Sequence, residues 1–62
     1  MSTIDEGIRL LESGDVTGAV RLLESVEDGE NGRRDAVLGL ALFRAERYRD
    51  AAERYDAAIA AS

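Results

Sequence analysis

The sequence predicts an all-α fold of four short helices, and three observations carry that expectation. Apolar residues recur at i, i+3 or i+4, and i+7 in four separate segments, the signature of helices that bury one face. Period-two alternation and β-branched runs, the marks of strands, are missing. The second half also lies over the first with a shift of 32, so the chain reads as two copies of one helix–turn–helix unit. Under that shift Gly7 falls on Gly39, Leu10 on Leu42, Ala19 on Ala51, Leu23 on Tyr55 and Val26 on Ala58.

The first helix is expected from Thr3 to about Ser13. Thr3-Ile4-Asp5-Glu6 fits a capping box, in which hydroxyl and carboxylate satisfy backbone donors reciprocally. Ile4, Ile8 and Leu11 then form its apolar face. Gly14-Asp15 supplies a turn, with Asp15 as N-cap of a second helix over about Val16–Glu27. Val16, Ala19, Val20, Leu23 and Val26 line that helix. Glu27–Gly32, "EDGENG", is the strong breaker, because glycine and asparagine tolerate positive φ. A third helix, about Arg34–Ala45, is apolar nearly all round, which suits burial on more than one side. The fourth, about Arg49–Ala60, collects Ala51, Ala52, Tyr55, Ala58 and Ile59 on one face and charges on the others.

The second unit contains Leu38-Gly39-x2-Leu42, then Ala51-x3-Tyr55 and Ala58, with Tyr48 at the turn between its helices. The first contains Glu6-Gly7-x2-Leu10, then Ala19-x3-Leu23. These residues resemble the tetratricopeptide repeat family, whose pattern runs W-x2-L-G-x2-Y, then A-x3-F. The departures are specific. Glu6 stands where a leucine is expected, Thr3 and Asp35 stand where the tryptophan falls, and the spacing of 32 is shorter than the usual repeat of about 34. The resemblance implies two antiparallel helix pairs in a right-handed stack, one domain with unit one at about 2–31 and unit two at about 32–62. Gly7, Leu10, Ala19, Leu23, Leu38, Gly39, Leu42, Ala51, Tyr55 and Ala58 are then the helix-packing positions.

The resemblance also implies a job, since the family binds peptides and proteins and has no chemistry of its own. Its carboxylate clamp uses lysine, asparagine and arginine on the groove side of each first helix. Here those places hold Ile4, Ile8 and Leu11 in unit one and Ala36, Leu40 and Phe43 in unit two, edged by Glu12 and Arg44. The expected binding surface is therefore an apolar concave groove. One conflict stays open: the pattern turns Leu10 inward, while the dominant apolar face of the first helix is Ile4, Ile8 and Leu11. Either that helix is rotated by one residue, or this face packs on something outside its own unit.

Composition narrows the rest. A 62-residue chain buries only about 60% of its unfolded surface, and chains this small are commonly stabilised by disulfides, metals or oligomerisation. With no cysteine and no histidine, oligomerisation or docking onto a partner remains. The serines and threonines have neither histidine nor lysine to activate them. No cofactor or metal is expected: read as a calcium loop from Glu27, the chain puts Gly29 and Leu38 where ligands belong. The net charge is −5, and residues 1–32 hold eight acids and two arginines against five acids and six arginines in residues 33–62. That asymmetry suits either head-to-tail contact between copies or, more simply, a solvated acidic face. Arg44, Arg47, Arg49 and Arg54 are matched by Glu46, Asp50, Glu53 and Asp56, which is not a phosphate track. Arg33-Arg34 precede the third helix, at the end where cations oppose the helix dipole, and so ask for acidic neighbours.

No signal peptide and no apolar run of membrane-spanning length is read, so a cytoplasmic protein without nucleic-acid or membrane partners is expected. Two units without an evident polar capping helix suggest a self-associating interaction module. Two other readings stay open. The groove residues are the core of a closed four-helix bundle, an accessory subunit or excised domain; or the groove holds a hydrophobic peptide or helix of another protein.

Overall fold

Four amphipathic segments fold as helices in chain order: α1 (Thr3–Glu12), α2 (Val16–Glu24), α3 (Arg33–Arg44) and α4 (Tyr48–Ala61). The computed structural model describes residues 3–26 and 32–61, and no strand occurs among them. The all-α expectation is met, with shifts at the helix ends. Thr3 is already helical, so it does not cap α1 as the capping-box reading requires. α2 stops at Glu24, because Ser25 folds back: its N–H donates to the Leu22 carbonyl at 3.1 Å and its Oγ to the same oxygen at 2.7 Å. The loop expected over residues 27–31 lies outside the described residues. Gly32, which follows it, takes the left-handed φ of 82° just before α3.

The two inter-helix turns are copies of one another. In the first, the Asp15 N–H donates to the Leu10 carbonyl at 2.8 Å, and in the second the Arg47 N–H donates to the Leu42 carbonyl at 2.9 Å. This is the hydrogen bond that closes a helix end when the chain passes through a left-handed residue. Both partners obey the shift of 32. The next helix begins differently in each. Asp15 caps α2, its Oδ1 accepting from the Gly18 N–H at 3.0 Å. Its counterpart Arg47 cannot cap and instead pairs with Asp50, Nη2 to Oδ2 at 2.8 Å.

Helix pairing inside each unit depends on a glycine. A Cβ on Gly7 would come within 2.8 Å of Leu23 Cδ2, and one on Gly39 within 2.8 Å of the Tyr55 ring. The bare backbone therefore lets α1 approach α2, and α3 approach α4, at equivalent points. α3 then packs against both α1 and α2, whereas α4 lies alongside α3 alone among the described residues. The four helices span 29 × 28 × 16 Å between Cα extremes. Its core is Ile4, Leu11, Ala19, Val20, Leu23, Leu38, Ala41, Leu42 and Ala51.

Candidate binding surface

α3 settles in the cleft between α1 and α2, and this changes the meaning of the expected groove. Ile4 and Leu11 are buried to 4% and 5% exposure, and Ile8 is half-buried against the same core. These three residues are not a groove wall. They belong to the core that α1 forms with α2 and α3. Leu10 is half-buried as well. Glu12, expected at the groove edge, is exposed at the end of α1.

The second half of the expected groove behaves oppositely. Ala36 is exposed, Leu40 is 39% exposed and Phe43 54%. Arg44, beside them, is also exposed. On α4 the same surface continues through Tyr48, at 56%, Ala52, half-buried Tyr55 and Ile59, at 72%. Phe43 and Tyr48 join the two helices, their rings edge to face with centroids 5.1 Å apart. Leu40 and Phe43 were in the sequence-based groove; Tyr48, Ala52 and Ile59 were not. The signal for Tyr48 and Ala52 was present, because they are the counterparts under the shift of 32 of Val16 and Val20; for Ile59 it was only its place on the apolar face of α4. Val16 is half-buried and Val20 buried where α3 packs.

The opposite end of the stack is polar. α3 turns Leu38 and Ala41, both fully buried, toward the first hairpin, away from the Gly39 side that meets α4. The equivalent places on α1 are Glu6 and Arg9, both exposed. α1 thus presents charge to solvent at the places where α3 is buried.

Ion pairs act both between the hairpins and within the second. Arg33 Nη2 bonds Asp5 Oδ1 at 3.0 Å across α3 and α1, and Asp35 is buried beside Arg34 Nε at 3.5 Å and Arg54 Nη1 at 3.3 Å. The acidic neighbours that Arg33-Arg34 ask for are therefore supplied within the chain. The buried position of Asp35 was not foreseen; an aspartate in the first turn of so apolar a helix was its only sign. A depression of about 230 Å³ lies elsewhere, between α2 and the α3–α4 turn, lined by Thr17, Val20, Arg21, Glu24, Ala45 and Arg47. It is smaller than the roughly 300–1,000 Å³ of small-molecule sites.

No described helix is long and apolar enough to cross a membrane. Compared with protein-family models, curated proteins and solved structures, the chain matches none. The apolar surface of the second hairpin is thus read on its own chemistry.

Proposed function

We infer that this chain is a non-enzymatic protein–protein interaction module, a tetratricopeptide-type stack that binds through the open apolar cleft of its second hairpin and self-associates there. One observation carries the reading. Two clefts built alike are treated unequally: the first has Ile4, Leu11 and Val20 buried under α3, and the second shows Leu40, Phe43, Tyr48 and Ile59 to solvent. A helix-packing surface is thereby presented on the outside of the chain, and contiguous exposed apolar surface of this kind marks interaction sites. The paired glycine contacts, Gly7 under Leu23 and Gly39 under Tyr55, support the family resemblance, since that pattern needs a small residue where paired helices approach. Among the described residues α4 lies alongside α3 and no other helix, which favours an open stack over the closed-bundle reading.

Light scattering over a dilution series, combined with binding of a dye for apolar surface, tests this. Association that rises with concentration and dye binding reduced by Phe43→Asp are expected. A chain monomeric at all concentrations, with a concentration-independent melting temperature and no bound dye, would sink the reading.

A further inference from the structure

Building on that reading of the cleft, we propose that its occupant is α4 of a second copy, lying antiparallel to the first across a two-fold axis. Head-to-tail stacking is the obvious competitor, because the first cleft is filled by the helix that follows it. The filling helix works by inserting Leu38 and Ala41, both fully buried. A second copy offering its α1 at that place would insert Glu6 and Arg9 instead. A carboxylate and a guanidinium would then be pressed against Phe43 and Ile59 without partners, a large desolvation cost. The polar end of the stack therefore cannot serve the apolar end. Two apolar ends can serve each other, and a closed two-fold pair is how identical patches meet.

The register follows from α4 itself. Tyr48, Ala52, Tyr55 and Ile59 are spaced by four, three and four residues, the seam of a two-helix coiled pairing. Laid antiparallel about the midpoint between Ala52 and Tyr55, Tyr48 meets Ile59 of the second copy and Ala52 meets its Tyr55. Small faces large at the centre, so the rings interdigitate rather than collide. On the flank away from α3, Arg49 and Asp56 each follow a seam residue directly. Both are exposed, and neither makes an ion pair among the described residues. The antiparallel pairing brings Arg49 of each copy beside Asp56 of the other, twice over. A parallel pairing would leave Arg49 and Asp56 seven residues, about 10 Å, out of register and so unable to meet. On the other flank, Phe43 of both copies is brought to the same side of the pair.

Sedimentation equilibrium on the intact chain tests this. A species of twice the 6.7 kDa chain mass is expected, reverting to monomer in Ile59→Asp with helicity unchanged, because Ile59 is exposed in the single chain. Arg49→Glu and Asp56→Arg should each weaken the dimer by roughly tenfold through two symmetry-related pairs. The double variant R49E/D56R should restore it, which a parallel arrangement cannot do. A dimer that persists in Ile59→Asp, or a double variant that stays weak, overturns the pairing. A wild-type chain that remains monomeric also overturns it. In that last case, dye binding lost on Phe43→Asp would leave the open cleft standing as an interaction surface, and absence of dye binding would remove both readings.

Discussion

Glu46 occupies, between α3 and α4, the left-handed backbone position that Gly14 occupies between α1 and α2, with φ of 64° against 92°. The glycine meets no steric objection there, but the glutamate sets its Cβ against the following carbonyl, at a cost of roughly 1–2 kcal/mol. The second turn is held in this shape by the Arg47 bond to Leu42 and by the packing of α4 on α3. Glu46→Gly is therefore expected to stabilise the chain by about 1 kcal/mol and to raise its melting temperature by roughly 4–8 °C. Thermal unfolding followed by circular dichroism checks this; a lower melting temperature would contradict the strain argument.

The paired glycines predict an inequality. Gly7→Ala and Gly39→Ala each gain about 1 kcal/mol of helix propensity, and each new methyl meets an atom 2.8 Å away. Leu23 is fully enclosed and cannot yield, whereas Tyr55 is half-buried and can swing outward. Overpacking at Leu23 costs roughly 1–3 kcal/mol, so Gly7→Ala should be the more destabilising substitution and Gly39→Ala close to neutral. Urea unfolding midpoints of the two variants would show the order, and equal midpoints would refute it.

The Asp15 cap and the four helices were legible in the sequence because each depends on neighbours within one or two turns, and the glycine contacts because the shift of 32 repeats them. The fate of the two apolar faces was not. Ile4, Ile8 and Leu11 differ little in chemistry from Ala36, Leu40 and Phe43, yet one set is largely buried and the other exposed. What separates them is whether a following hairpin packs on top, a fact about tertiary order that helical periodicity does not encode. The polar end of the stack was hidden for the same reason, since Glu6 and Arg9 acquire meaning only once Leu38 and Ala41 are seen to insert at the equivalent places.

Asp35 is the buried charge among the described residues, held beside Arg34 and Arg54 in the first turn of α3. There its carboxylate also complements the helix dipole. Arg34 Nε is buried and has no hydrogen-bond partner, although it lies 3.5 Å from that carboxylate. Asp35→Ala removes the compensating charge and should destabilise by about 1–3 kcal/mol. Adding Arg34→Met should recover part of the loss, because removing both members of a buried pair is milder than orphaning one. Arg54 contributes less, being able to turn its 39%-exposed side chain to water. A double variant no more stable than Asp35→Ala would show that Arg34 was not the orphaned group.

The two halves of the expected groove give the sharpest contrast. Leu11→Asp places a carboxylate in the buried apolar cluster that holds Ile4 and Val20. A small single core supplies only about 3–5 kcal/mol of stability, and an unpaired buried charge exceeds that. The Leu11→Asp chain should therefore lose its helicity outright. Leu40→Asp acts on a side chain that already reaches solvent, so its helicity should persist with a stability change below about 1 kcal/mol. Circular dichroism on both variants at low concentration separates the outcomes. A folded Leu11→Asp chain would mean that α3 does not fill the first cleft, and an unfolded Leu40→Asp chain would place Leu40 in a core.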